Sequence, residues 1–160
     1  MSTKLKIAAA VAAAVLLSAC SSPKHEPMPL VKFTPSMEVT EVWSKGLSSA
    51  EGFLVPAVYD DMVFAAGGKT LTRLNARTGE TEWSVSFNSP ITGGVGSDGY
   101  VTAVGLWDGN LEVVDAEGKV SWEKKLTTEL ASPPVVSHGL VIARTMDTRV
   151  SAFEASSGEL

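Results

Sequence analysis

Few residues of this chain have the types and spacing that catalysis or ligand binding requires. Residues 94–99 fit the G-x-G-x-x-G pattern of dinucleotide-binding loops. Such a loop must follow a strand and open a helix, whereas here it precedes residues 100–104, which have strand character, so we expect no nucleotide site. Ser121 and Lys124 fit the S-x-x-K pattern of acyl-enzymes, but residues three apart on a strand point to opposite faces. Neither pattern therefore predicts an activity.

The remaining titratable residues are not spaced for catalysis or metal binding either. His138 is expected in a turn without an acidic or nucleophilic neighbour at useful spacing, and His25 in a solvated linker. No group of Cys and His residues has the spacing of a metal site, and no nucleophile, base and orienting group come together. The sequence predicts no catalytic residue, no metal, no cofactor and no small-molecule substrate, which indicates a protein that is not an enzyme.

A more regular feature is a repeat built around tryptophan. Trp43, Trp83 and Trp122 lie 40 and 39 residues apart. The last two each follow a turn-like segment that begins with Asn or Asp and has a Gly four residues before the Trp; a third copy of this segment starts at Glu154. Because the spacing is fixed, we interpret these tryptophans as structural residues that pack between neighbouring units. Aromatic faces that stack on a cofactor or a sugar are the alternative.

The period of the repeat predicts the fold. Strand-like segments that recur about every 40 residues are typical of β-propeller blades. We therefore predict an all-β fold, a β-propeller of four-stranded antiparallel blades. We expect a closing strand over 39–47 and blades over 53–87, 93–126 and 133–160, the last one incomplete. Since a closed ring needs about 4–8 blades, we expect the sequence to be truncated after about three blades.

Two positions depart from the repeat. Thr148 stands in a hairpin where the first two blades have Gly68 and Gly109. A type I′ turn needs a positive φ at this position, which is costly for a β-branched residue, so we expect a looser turn in the third blade. Trp107 lies in a hairpin outside the regular spacing, and the sequence leaves its exposure open.

The first residues of the chain predict export. Residues 7–19 form an uncharged, mostly apolar run of 13 residues after a basic start. A bilayer crossing needs about 20 residues, so this run indicates a signal peptide over 1–19. Residues 17–20, Leu-Ser-Ala-Cys, resemble the lipobox of bacterial lipoproteins, which implies cleavage before Cys20 and acylation of that residue. An ordinary signal peptide that contains a cysteine is the alternative.

The segment after the cysteine predicts a tether. Residues 20–38 contain four prolines, which exclude a helix interior or a central strand and favour an extended linker. Ser21 follows Cys20 where lipoproteins retained at the inner membrane of Gram-negative bacteria tend to have Asp, which favours the outer membrane.

The charge of the chain excludes one class of partner. There are 13 basic and 18 acidic residues, a net charge of −5. Removal of Lys4 and Lys6 with the signal peptide would bring the net charge near −7. Such an acidic chain is not expected to bind nucleic acid or a membrane surface through a basic patch.

The repeat also resembles a known family. It is seen most fully as Leu71-Thr-Arg-Leu-Asn-Ala-Arg-Thr-Gly-Glu-Thr-Glu-Trp83, which is similar to the repeat of pyrroloquinoline-quinone-type propellers. With the lipobox at Cys20 and the Pro-rich tether, the chain resembles the BamB family of outer-membrane assembly lipoproteins over residues 20–160. The family's main BamA-contacting loop follows the third blade and would lie past Leu160, so no residue of this sequence is assigned to partner binding.

The resemblance carries functional expectations. It implies a non-enzymatic scaffold with an eight-bladed ring, held in the outer membrane by a lipid anchor and facing the periplasm. Its partners would be BamA and other components of the barrel assembly complex, and its task to assist insertion of outer-membrane proteins. One alternative is a fragment of a quinoprotein dehydrogenase, although those enzymes hold calcium and a quinone and many have two adjacent cysteines. Another is a cell-envelope scaffold propeller with a different partner.

Overall fold

The computed structural model describes residues 28–48 and 54–160. The described part contains no helix, and its strands form three antiparallel sheets of consecutive strands. The prediction of an all-β fold with four-stranded antiparallel sheets is confirmed. Among the described residues, no helix of sufficient length and hydrophobicity to cross a membrane is present.

The sheets correspond to three successive units, which we call blades 1, 2 and 3. The strands of blade 1 are β1 (Ala57–Tyr59), β2 (Met62–Gly67), β3 (Thr70–Asn75) and β4 (Thr81–Ser86). Those of blade 2 are β5 (Ile91–Ser97), β6 (Thr102–Leu106), β7 (Asn110–Val114) and β8 (Val120–Lys125). Those of blade 3 are β9 (Val135–Ser137), β10 (Leu140–Arg144) and β11 (Val150–Glu154).

Two apolar layers hold the blades together. The middle strands are covered on both faces, and all five residues of β6 are buried. The outer strands β4 and β8 are mostly exposed, and the tryptophan near the centre of each strand is half-buried. One apolar cluster lies between blades 1 and 2 and includes Phe64 and Leu106, and a second lies between blades 2 and 3 and includes Leu111 and Phe153. Burial of these faces against each other is the main force that fixes the blade order.

The glycine pattern of residues 94–99 belongs to a strand. Gly94 and Gly96 lie within β5, the turn follows at residues 98–101, and the strand that we expected from residue 100 starts at Thr102. A Cβ at Gly96 would lie 2.0 Å from the carbonyl oxygen of Pro134. The absence of a side chain thus lets β5 pack against the backbone that enters blade 3.

The expected loose turn in blade 3 is also not observed. Thr148 adopts a φ of 68°, close to the 81° of Gly109, and each amide donates to a carbonyl three residues back, over 3.0 and 2.9 Å. Thr145 closes the hairpin with a 3.0 Å bond from its amide to the carbonyl of Arg149. These bonds and those of Asp147, described below, hold the β-branched residue in a conformation it rarely adopts.

The described residues before blade 1 carry no strand. The chain divides into one unit that ends at Val39 and a second that begins at Thr40. Residues 28–39 are exposed and irregular. Residues 39–47, which we expected to form a closing strand, are not paired with any strand of the described sheets.

Candidate partner interface

The regularly spaced tryptophans connect consecutive units through one repeated contact. The indole Nε1 of Trp83 donates to the carbonyl oxygen of Ala116 over 2.9 Å, and that of Trp122 donates to Ala155 over 2.8 Å. Trp43, in the segment before blade 1, donates in the same way to Ala76 over 2.8 Å. Each acceptor lies 33 residues after its donor, in the turn between the third and fourth strand positions of the following unit.

Each of these indoles also lies on a glycine of the same turn. A Cβ at Gly118 would come within 2.9 Å of the Trp83 ring, and one at Gly158 within 2.8 Å of the Trp122 ring. Both glycines have positive φ, 84° and 72°. Glycine is therefore required twice, by the turn and by the ring above it.

Blade 1 adds a second donor that the sequence did not reveal. The guanidinium of Arg73 donates from Nη1 to the carbonyl oxygen of Ala116 over 3.1 Å, so this acceptor receives two hydrogen bonds. Arg73 also forms an ion pair with Glu82, with Nε 2.6 Å from Oε2, and lies 5.9 Å from the centre of the Phe64 ring. The contact between blades 1 and 2 therefore has one more side-chain hydrogen bond than the equivalent contact at Ala155.

The candidate residues of the sequence fall into separate places. Cys20, the proposed lipidation site, lies outside the described residues. Trp43, Trp83 and Trp122 occupy equivalent positions in three consecutive units, as above. His138 has a φ of 52°, and its Nδ1 lies 2.7 Å from Ser137 Oγ, a neighbour that our reading of this turn overlooked. In the described ranges, no group of three or more His, Cys, Asp or Glu residues could hold a metal ion.

A continuous set of loops lies at one end of the blades, and we call it the loop rim: residues 68–69, 87–90, 107–109, 126–134 and 145–149. Backbone hydrogen bonds connect its members in order. The amide of Ile91 donates to Gly68, that of Trp107 to Pro90, that of Leu126 to Gly109 and that of Met146 to Glu129, over 2.8 to 3.0 Å. The loops that join blades are therefore fastened to the hairpin tips beside them.

Two large apolar side chains project from this rim. Trp107, at the tip of the β6–β7 hairpin, is 60% exposed, and Met146, in the β10–β11 hairpin, is 63% exposed. The connection between β8 and β9 is bonded to both hairpins, to Gly109 on one side and to Met146 on the other. An open groove runs between this connection and the hairpin of Trp107. The sequence could not show this exposure, because the contacts of a hairpin tip depend on its neighbours.

Asp147 fixes the second hairpin in place. Its carboxylate accepts hydrogen bonds from Thr145 Oγ1 over 2.5 Å and from Thr127 Oγ1 over 2.8 Å, and pairs with Arg149 Nε at 3.2 Å. The hydrogen bond from Thr145 and then that from Thr127 lower the pKa of Asp147, and the charge of Arg149 adds to this effect. The aspartate thus ties the inter-blade connection to the hairpin that carries Met146.

The two ends of the blades differ in charge. Counted with the residues that flank each loop, the loop rim carries four cations and three carboxylates: Lys69, Lys125, Arg144 and Arg149 against Asp108, Glu129 and Asp147. The opposite end, counted in the same way, carries Arg77 and Lys119 against Asp60, Asp61, Glu80, Asp98, Asp115, Glu117, Glu154 and Glu159. A chain that is acidic as a whole therefore has one nearly neutral surface among the described residues.

A buried carboxyl group lies behind the rim. Glu112 is 7% exposed and stands across from Glu123 in the β7–β8 register. Burial raises its pKa above the ordinary value of 4.5, and the charges of Glu123 and Asp108 raise it further. Both charged groups that shift this pKa are carboxylates, so ionisation of Glu112 is less favourable in the folded protein than in water.

Comparison with known proteins adds family information. The sequence profile described as outer membrane protein assembly factor BamB matches residues 39–90 and 67–160. The protein named outer membrane protein assembly factor BamB from Burkholderia pseudomallei is 38% identical over 156 residues, which are 94% of this chain and 41% of that protein. The one from Bordetella pertussis is 33% identical over 150 residues, 89% of this chain and 39% of that protein.

Solved structures agree at the level of the fold. The crystal structure of BamB from Moraxella catarrhalis superimposes with a TM-score of 0.58 at 26% identity, over 66% of this chain and 32% of that one. A quinohemoprotein alcohol dehydrogenase from Pseudomonas putida superimposes with a TM-score of 0.61 at 23% identity, over 71% of this chain and 20% of that one. The chain spans about two fifths of the length of the curated relatives that it matches.

Proposed function

The chain belongs to the BamB family of outer membrane protein assembly factors, and we propose that it acts as a non-enzymatic scaffold that binds the periplasmic part of BamA. In this proposal, the protein and the other components of the barrel assembly complex assist the insertion of outer-membrane proteins. The observation that carries the proposal is the similarity to relatives with that name, 38% and 33% identical over most of this chain.

The architecture supports a binding role. Consecutive blades are fastened by hydrogen bonds from tryptophan to carbonyl, and the loops at one end are bonded to each other. Loops that are ordered before binding lose little conformational entropy when a partner docks, which favours affinity. A row of short, ordered loops on packed sheets is thus suited to present side chains to another protein.

We propose further that Cys20 is acylated and that the protein is anchored in the outer membrane, facing the periplasm. The basis is the Leu-Ser-Ala-Cys sequence at residues 17–20 and the Ser that follows it. Several acyl chains on one residue would hold the protein stably at a membrane, since a single chain binds only marginally.

A quinoprotein dehydrogenase remains the alternative from the sequence, and no observation favours it. The similarity to the alcohol dehydrogenase, at 23% identity, shows a shared fold alone. Fold similarity does not transfer an activity, which depends on the residues of a site.

The proposed function can be tested in the native cell. Deletion of the gene is expected to lower the amount of folded outer-membrane β-barrel proteins, and the restored gene to recover it. The protein purified from solubilised envelopes should bring BamA with it. As a control for anchoring, Cys20→Ser should shift the protein from the membrane fraction to the soluble one. Unchanged barrel proteins together with no recovered BamA would contradict the proposal.

A further inference from the structure

The loop rim has several features of a binding surface. Trp107 and Met146 are exposed by 60% and 63% on neighbouring hairpins. Tryptophan, methionine and arginine are enriched in protein interfaces, and a few such residues carry most of the binding free energy. An exposed indole gains the most when a partner buries it in a pocket.

The rim is also ordered before any partner arrives. The backbone of the 126–134 connection is bonded to Gly109 beside Trp107 and to Met146 itself. Asp147 adds side-chain bonds to Thr127 and Thr145. Phe87, Leu126 and Leu130 of the rim pack against the apolar clusters between the blades, whereas Trp107 and Met146 belong to neither cluster. Because the backbone of both hairpins is bonded in this way, Trp107 and Met146 lose little backbone conformational entropy when a partner docks.

Charge indicates what kind of partner fits. The rim has four cations against three carboxylates, whereas the opposite end has two cations against eight carboxylates. Lys125 lines the groove beside Trp107, and Lys125 and Arg149 together line a second groove that shares residues 125–127 with it. A partner surface with carboxylates is therefore repelled by the opposite end and accepted at the rim, since complementary charge steers encounter and fixes orientation.

From these observations we propose that the loop rim is a docking surface, with Trp107 as its anchor and Met146 beside it, for a folded periplasmic domain that presents an apolar side chain flanked by Asp or Glu. The inference rests on the proposed function, in which that domain belongs to BamA. It assigns residues of blades 2 and 3 to a partner contact for which no residue could be named from the sequence alone.

Site-specific crosslinking in the native cell tests the surface. The photoreactive residue p-benzoylphenylalanine replaces Trp107 in one variant, Met146 in a second and Tyr100 in a control, each in the protein expressed from its own gene. Tyr100 is 75% exposed and lies in the β5–β6 turn at the opposite end of blade 2. We expect at least tenfold more adduct with BamA from positions 107 and 146 than from position 100, joined to BamA residues close to Asp or Glu.

The outcomes separate the inference from the function on which it rests. BamA adducts from position 100 equal to those from 107 and 146, or no adduct from either rim position, would overturn the docking surface. Adducts from 107 and 146 with an identified periplasmic protein other than BamA would support the surface and contradict the proposed partner. A further variant, Trp107→Ala, should lower the amount of BamA recovered with the protein about tenfold, whereas Tyr100→Ala should leave it unchanged.

Discussion

The indole Nε1 of Trp83 lies 2.9 Å from the carbonyl oxygen of Ala116, and the guanidinium of Arg73 reaches the same oxygen from 3.1 Å. The equivalent acceptor in blade 3, the carbonyl of Ala155, is bonded by Trp122 without a second side-chain donor among the described residues. Two tryptophans in the same structural role therefore differ in what their removal leaves behind.

This difference predicts unequal costs of the same substitution. Trp122→Phe leaves the Ala155 carbonyl without a partner, and loss of a hydrogen bond in this way costs about 1–3 kcal/mol. Trp83→Phe leaves the Ala116 carbonyl with the Arg73 donor, so we expect a loss smaller by about 1 kcal/mol. Urea unfolding of both variants measures the difference. Equal losses of unfolding free energy would show that the Arg73 bond does not replace the indole.

The close approach of ring and glycine gives a second prediction. Gly118→Ala places a Cβ in a backbone with a φ of 84° and 2.9 Å from the Trp83 ring. Gly139→Ala is the matched control, because Gly139 has a φ of 76° but no atom within 4 Å of the added Cβ. The control should cost about 1–2 kcal/mol from the backbone alone, and Gly118→Ala should cost about 1–3 kcal/mol more through steric overlap. Thermal unfolding compares them, and similar melting temperatures would argue against a tight contact.

The strained threonine of blade 3 predicts a stabilising substitution. Thr148 has a φ of 68°, which glycine adopts without strain. Thr148→Gly should stabilise the protein by about 1 kcal/mol, the relief of strain less the greater entropy of the unfolded chain. The reverse change in the neighbouring blade, Gly109→Thr, should destabilise it. A loss of stability in Thr148→Gly, measured by urea unfolding, would mean that the threonine makes a contact that offsets its strain.

The buried carboxyl group predicts a dependence of stability on pH. The pKa of Glu112 is raised in the folded state, so the folded protein holds this proton more tightly than the unfolded chain does. Its contribution to stability is therefore present below pH 4.5 and is lost as pH rises through the raised pKa. Glu112→Gln should increase stability at neutral pH, whereas the exposed control Glu117→Gln should change it little. Melting temperatures from pH 4 to pH 8 for both variants test this, and a Glu112→Gln variant less stable at neutral pH would contradict it.

Much of the fold could be predicted because its period is set by a local pattern. A turn that needs glycine, followed four residues later by a tryptophan, occurs in blades 1 and 2, and the structure shows that each ring lies on the corresponding glycine of the next blade. Short apolar runs between turns were enough to predict that these segments form strands. They were not enough to predict the exact strand limits, as residues 94–99 show: Gly94 and Gly96 have the composition of a loop but serve as close-packing positions in β5.

The candidate interface was much less predictable. The exposure of Trp107 depends on loops distant in sequence, and the order of the 126–134 connection depends on bonds to two hairpins. The prediction of a loose turn at Thr148 was wrong because it considered that residue alone. Hydrogen bonds of Asp147 and Thr145 restrain the whole hairpin. Such features result from tertiary contacts, for which a single sequence has no local signal.

The proposed function is binding of BamA by this chain as a non-enzymatic scaffold. The most direct measurement is calorimetric titration of the purified protein, expressed from its own gene without the lipid anchor, with the periplasmic part of BamA from the same organism. The account predicts saturable binding with a Kd of about 10 μM or tighter, weakened by added salt because charge contributes to the encounter. No heat of binding at several temperatures, together with no complex in gel filtration, would contradict it.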